Sequence, residues 1–273
     1  MNYENRVTVY IDILGFKDIL STTVDKDGKD ISENIDKIIS AYTAIRDVWD
    51  LDDTSLRNKI PSKSKKITTF SDCLVISFKT DEESEIFHTL VEIQWMLMRL
   101  ITRGILCRGA ITYGKLIHTD EFLFGPALAE AYILESKAAL YPRIILHEDL
   151  IEFAGNTNRF HKDSELEKEF IKKILEKDSD GMYFIDYFAS AESELDSHYD
   201  FPEYLYIIGK TVREGLEKYN NTFKADIKVK YQWMKEKYNN IVDATHNKKF
   251  IKSLKDNGEF DLADAFLELR RIN

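Results

Sequence analysis

The period of the hydrophobic positions changes several times along the chain. Val7–Leu14 (VTVYIDIL) is a run rich in β-branched residues and predicts a buried strand. GFKDILSTT predicts the start of a helix and VDKDGKD a polar turn. Ile31, Ile35, Ile38, Ile39, Tyr42 and Ile45 then recur at the period of an amphipathic helix, with Asp30 and Glu33 spaced as its capping box. After the polar connection DLDDTSLRNKIPSKSKK, the stretch KITTFSDCLVISFK splits into two strand-like halves around Phe70-Ser71-Asp72 and predicts a hairpin. DEESEIFHTLVEIQWMLMRLITRG predicts a strong helix, with acids favourable to its N-terminal dipole and Gly104 suited to closing it. ILCRGAITYGKLIH predicts a strand with Gly109 and Gly114 near its bends, and GPALAEAYILESKAAL a helix with Pro126 in its first turn. YPRIILHEDLIEF predicts a further strand and a short helix.

Helices interleaved with strands that can pair antiparallel predict an α+β sandwich of the ferredoxin-like kind. The character changes near Asn156. DSELEKEFIKKILEKD predicts a charged helix, DSDGMYFIDYF a turn and strand, and EYLYIIGKTVREGLEKYNN onward long amphipathic helices with Tyr and Trp on the apolar face. The expected organisation is a core over 1–155 and a mostly helical extension over 156–273 packed on it.

Composition narrows the function classes. At 273 residues, 44% hydrophobic and 32% charged, the chain is long enough for a sizeable core. Its net charge of -10, with Lys and Arg dispersed among acids, argues against general affinity for nucleic acid or an anionic membrane. A local positive pocket for a phosphorylated small molecule remains open. Cys73 and Cys107 each stand alone in an apolar segment without a CxxC, as expected of buried thiols in a reducing compartment. MNYENRVTVY lacks a basic region followed by a long apolar run, so it is not expected to be a signal peptide, and LVEIQWMLMRLI is too short and interrupted to be expected to span a bilayer. A cytoplasmic location is expected.

Asp12 is the residue that asks for chemistry. A carboxylate inside an apolar strand costs several kcal/mol unless donors or a cation meet it. Asp72 stands at the hairpin turn, and in a ferredoxin-like sheet the first strand lies beside that hairpin. Two converging carboxylates suit Mg²⁺, which takes one or two of them and completes its shell with substrate phosphates. The backbone N–H groups after Asp12 face a helix N-terminus, a natural phosphate cradle. Acids at strand ends also serve as turn formers or helix caps, so on these grounds alone both roles stand.

Four motifs together carry a resemblance. Tyr10-Ile11-Asp12-Ile13-Leu14-Gly15-Phe16 resembles the first metal-binding motif of class III nucleotidyl cyclases, and Phe70-Ser71-Asp72 their second. Arg108-Gly109-Ala110-Ile111-Thr112-Tyr113-Gly114 resembles their Arg-x-Gly-Ile-x-x-Gly strand, and Gly125-Pro126-Ala127-Leu128-Ala129-Glu130-Ala131 the Gly-led helix after it. The likeness covers roughly Val7 to Phe153 in the family's order. It is nearest to the bacterial Pycsar antiphage cyclases, which make cyclic UMP or cyclic CMP and share the GPAL…YPRI run and a helical tail such as VKYQWMKEKYN.

The resemblance implies a class III cyclase sandwich with a helical C-terminal extension. Two Mg²⁺ or Mn²⁺ ions per site would be held by Asp12, Asp72 and the carbonyl of Ile13. The triphosphate would lie on the amides of Leu14, Gly15 and Phe16, with the base against Thr68, Phe122 and Leu128. It also implies a homodimer with active sites at the interface and a separate effector that senses the cyclic nucleotide as an antiphage signal. Two departures matter. Thr68 and Phe122 replace the Lys and acid that read a purine, which disfavours ATP and fits UTP or CTP. Ala129 and Ile133 replace the Asn and Arg that stabilise the transition state, leaving Arg108 or Arg143 to supply the catalytic cation. A catalytically inactive nucleotide-binding regulator and a purine cyclase are the alternatives.

Overall fold

The computed structural model describes residues 1–49, 64–82, 84–157 and 164–273. They divide into two compact units, Met1–Asp186 and Tyr187–Asn273. The first contains strands β1 (Glu4–Ile13), β2 (Lys66–Phe70), β3 (Cys73–Lys79), β4 (Cys107–His118), β5 (Leu123–Phe124), β6 (Ile144–Leu146), β7 (Leu175–Lys177) and β8 (Tyr183–Ile185). Its helices are α1 (Phe16–Ser21), α2 (Ser32–Trp49), α3 (Glu85–Ile101), α4 (Pro126–Lys137), α5 (Glu148–Thr157) and α6 (Ser164–Lys173).

The sheet runs β2-β3-β1-β4-β6-β8-β7, with β5 paired to β4. Its first four strands are antiparallel in the order 2-3-1-4, the ferredoxin-like arrangement anticipated from the order of elements. β6 joins β4 in parallel after the α4 crossover, as a parallel neighbour requires. The fold is therefore α+β.

Period-2 alternation gives the sheet two different faces. On β1, Val7, Val9, Ile11 and Ile13 are buried and share a core with α2 and α3, where Leu90, Ile93, Met96 and Leu100 have 1% exposure or less. The opposite face carries Arg6, Thr8, Tyr10 and Asp12, and α4 lies against part of it through an edge contact between Tyr10 and Tyr132. Asp12 is thus no interruption of the core, because it belongs to the polar row of an alternating strand.

Three local expectations change. Asp30 bridges Val24 across a turn and α2 starts at Ser32, so Asp30 does not open the helix as a cap. The expected helix DSELEKEFIKKILEKD ends at Lys173, and its last residues form β7 against β8. Those two strands continue the sheet past residue 155, because Leu175, Phe184 and Ile185 are buried there. Most of the polar connection between α2 and β2 lies outside the described residues.

The second unit holds α7 (Phe201–Tyr219), α8 (Ala225–Thr245), α9 (Lys248–Asp256) and α10 (Phe260–Glu268), the helical content expected of the tail. Gly209 of α7 leaves room for Tyr238 of α8, whose ring would lie 2.7 Å from an added Cβ. The Asn239 side chain brackets the backbone of Ile272, donating to its carbonyl at 2.9 Å and accepting from its N–H at 2.8 Å. Among the described residues, no helix is long and apolar enough to cross a membrane.

Candidate active site

Register brings the two acids together. Asp12 of β1 pairs with Cys73 of β3, and the Ile13 N–H donates to the Asp72 carbonyl at 2.9 Å. Asp72 is the second residue of the two-residue loop joining β2 to β3. Its neighbour Ser71 sits at φ 52°, the left-handed conformation tight hairpin loops demand. The Tyr42 hydroxyl of α2 donates to the Ser71 carbonyl and fastens this tip. Ligand atoms of Asp12, Asp72 and Cys73 all lie within 4.8 Å of one another. Cys73 Sγ is 3.9 Å from Asp12 Oδ1, 3.8 Å from Asp72 Oδ1 and 2.8 Å from the Tyr10 hydroxyl. Motif spacing pointed to the two carboxylates; the thiol between them it did not.

Among the described residues, one arginine faces two acids here. Arg108, opposite Asp12 in the β1–β4 register, places Nε 3.6 Å from Asp12 Oδ2 and 2.5 Å from Glu135 Oε1. The shorter contact is an ion pair without hydrogen-bond alignment. Glu135 is 3% exposed, and sequence reasoning missed it. The available signal was the i, i+4, i+8 series Ala127, Ala131 and Glu135 on α4, in which a carboxylate continues a buried small-residue stripe.

Burial raises the Asp12 carboxyl above the usual carboxylate range; Arg108 opposes the shift and nearby Asp72 reinforces it. Glu135 is raised by the same cause, again opposed by Arg108. The Cys73 thiol is raised by burial and stays protonated at neutral pH. Asp12 and Glu135 share Arg108, and Asp72 lies beside Asp12, so a further cation would offset the burial of these carboxyls. That donor set, two half-buried carboxylates close enough to share an ion, fits a divalent cation such as Mg²⁺ or Mn²⁺.

The DILGF turn is built differently from the expected cradle. The Leu14 N–H already donates to the Leu106 carbonyl at 2.8 Å, which removes Leu14 from the triphosphate donors. Gly15 takes φ 72° as the N-cap of α1, and Phe16 is buried edge-on to Tyr42 at 6.4 Å. Gly-Phe thus makes a sharp turn and anchors it. Only the Gly15 and Phe16 amides remain of the expected three.

The expected base residues lie on neighbouring segments. Thr68 Oγ1 is 2.9 Å from His118 Nε2, and Lys66 pairs with Asp120 at 2.6 Å. These two contacts pin the β4–β5 turn, which bears exposed Phe122, against β2. Half-buried Leu128 stands on α4. Ala129 and Ile133 both lie on exposed positions of α4 and supply no cation. Arg143 is not a catalytic candidate. It is fully buried, bonded to Asp178 at 2.5 Å and to Asp180, where it ties β6 to the turn before β8.

No family model matches the chain, and no curated protein matches it. Among solved structures, it is similar to the catalytic core of a rhodopsin-guanylyl cyclase with converted specificity in complex with ATPalphaS. The two share 16% identity at a TM-score of 0.39, over 68% of this chain and 96% of that one.

Proposed function

We propose that the chain is a nucleotidyl cyclase that converts a pyrimidine nucleoside triphosphate, UTP or CTP, to the 3′,5′-cyclic nucleotide and pyrophosphate. The observation that carries this reading is the convergence of Asp12 and Asp72, with Cys73, at the end of a ferredoxin-like sheet. Asp12 and Asp72 hold divalent metal, with the Ile13 carbonyl as a further ligand. Bound there, two such ions supply acidification of the ribose 3′-OH and neutralisation of the phosphates.

The residues of the chain orient the rest. Arg108 is held between Asp12 and Glu135 through Nε, which leaves its terminal nitrogens for the α-phosphate oxygens. The amides of Gly15 and Phe16 receive the outer phosphates. The 3′-oxygen forms a bond to the α-phosphorus as the bond to pyrophosphate breaks, and the hydroxyl proton leaves to water. Exposed Phe70 at the hairpin tip and Tyr132 and Ile133 on α4 favour a second copy covering this region, with active sites between subunits. The cyclic product would act in the cytoplasm as an antiphage signal read by a separate effector.

A second reading, an inactive nucleotide-binding regulator, is favoured by Ala129 and Ile133. To separate the two, the purified protein is incubated with each of the four NTPs and Mn²⁺ or Mg²⁺, beside Asp12→Ala and Asp72→Ala, and products are identified by mass spectrometry. Cyclic UMP or CMP from the unmodified chain alone is expected. No cyclic product from any NTP would overturn the enzyme reading, and product from ATP alone would overturn the pyrimidine one.

A further inference from the structure

A continuous chain of side-chain hydrogen bonds crosses the polar face of the sheet from Arg6 to Thr68. Arg6 Nε donates to Ser77 Oγ at 2.8 Å, Ser77 Oγ is 2.8 Å from His118 Nδ1, and His118 Nε2 is 2.9 Å from Thr68 Oγ1. Three members are nearly inaccessible: Arg6 at 2%, Ser77 at 0% and His118 at 5% exposure. Thr68 is the half-buried end of the chain.

The direction of every bond follows from the first. Arg6 can only donate, so Ser77 Oγ must accept. Its other guanidinium nitrogens are engaged by Glu4, by the Ser77 carbonyl and by the Ser64 carbonyl, which locks the group in place. The Ser77 hydroxyl hydrogen then needs a buried acceptor. Thr8, its register neighbour, has an Oγ1 with no hydrogen-bond partner, so that atom does not take it. His118 Nδ1 takes it instead. Burial first, then the charges of Arg6 and Lys66, push the imidazole down to about 4, so the ring is neutral at physiological pH. With Nδ1 accepting, the ring hydrogen is on Nε2 and is donated to Thr68 Oγ1. Thr68 is left with its own hydrogen directed outward, strengthened as a donor by the polarised chain behind it.

Thr68 stands on the same face as Asp12, two strands across and one row along. Strand spacing and rise place their Cα atoms about 12 Å apart, the span of a nucleotide. Building on the cyclase reading, we propose that the Arg6–Ser77–His118–Thr68 chain is a specificity device that presents a hydroxyl donor to a base carbonyl and so selects uracil over cytosine. Uracil offers the O4 carbonyl where cytosine carries an amino group. That amino group is no acceptor, so the Thr68 hydroxyl hydrogen would face it without a partner.

Two measurements test this. Titration calorimetry compares UTP with CTP in CaCl₂, on the full chain and on Thr68→Val and Thr68→Ser, with thermal melts to verify folding. UTP is expected to bind at least about tenfold more tightly than CTP, with the ratio lost in Thr68→Val and retained in Thr68→Ser. Long-range ¹H–¹⁵N NMR is expected to show His118 as the Nε2–H tautomer. Equal or tighter binding of CTP, an unchanged ratio in Thr68→Val, or an Nδ1–H tautomer would each overturn the inference while leaving the cyclase reading intact. Failure to bind any nucleoside triphosphate would overturn both.

Discussion

Gly109→Ala tests whether the site depends on the close approach of two backbones. Gly109 is opposite Ile11 on one side and Ile144 on the other, and its N–H donates to the Arg143 carbonyl at 3.1 Å. A Cβ added there would overlap the Tyr10 carbonyl oxygen and lie 3.2 Å from Ile11 Cα. Both obstacles are main chain, so no rotamer change relieves them, and β4 cannot retreat because β6 holds its far edge. The strands must part by roughly 1 Å, beyond good hydrogen-bond geometry for one or two rungs. Overpacking at about 1–3 kcal/mol plus about 1 kcal/mol per lost rung gives a loss of about 2–5 kcal/mol. In a unit this size that lowers Tm by about 10 °C. The displaced segment leads directly into Asp12, so Mn²⁺ affinity should fall as well. Circular-dichroism melts and Mn²⁺ titration read the two effects. Gly181→Ala, at φ 85° with open space around it, is the control, expected to lose only about 1 kcal/mol. A Gly109→Ala protein with unchanged Tm and unchanged Mn²⁺ affinity would refute the reasoning.

Three further outcomes follow from the charges. Asp12 and Glu135 have folded-state carboxyls above their unfolded values, so the native state binds protons more tightly than the unfolded chain. Their destabilisation is fully present above the folded values and disappears as pH falls toward the unfolded ones. Metal-free Asp12→Asn should therefore melt above the unmodified chain at pH 8, and the gap should close on acidification. The Tm gain from Mn²⁺ should shrink in parallel, and a gain that grew toward low pH would contradict this assignment. Arg143→Met strips the cation from Asp178 and Asp180, for an expected loss of about 3–5 kcal/mol by urea unfolding. A loss below about 1 kcal/mol would show that the cluster contributes little.

Local patterns carried a large part of the architecture. The alternation in VTVYIDIL, the strand-turn-strand halves around Ser71-Asp72 and the long apolar stripes identify β1, the β2–β3 hairpin, α2 and α3, because burial on one face imposes a period that the chain itself displays. Asp12 and Asp72 were legible for the same reason, as charges set against apolar runs. β8 lies in the strand read from DSDGMYFIDYF, but β7 was harder, because a three-residue strand at the end of a helical pattern is too short to display a period.

Tertiary structure decided the rest. Ser77 lies 71 residues from Arg6, His118 lies 41 from Ser77, and Thr68 lies 50 from His118, so no local pattern announces their chain of hydrogen bonds. Glu135 becomes a partner of Arg108 only when α4 crosses the sheet. The Leu14 amide, open in the sequence, is taken by Leu106 once β1 meets the segment before β4. Arg143 resembles a usable cation until folding buries it between two aspartates. By itself the sequence determined which elements form and which acids are costly enough to need a cation. Strand register and helix crossing alone determined which distant donors and acceptors meet, because hydrogen bonds and ion pairs act over a few ångströms and depend on neighbours in space.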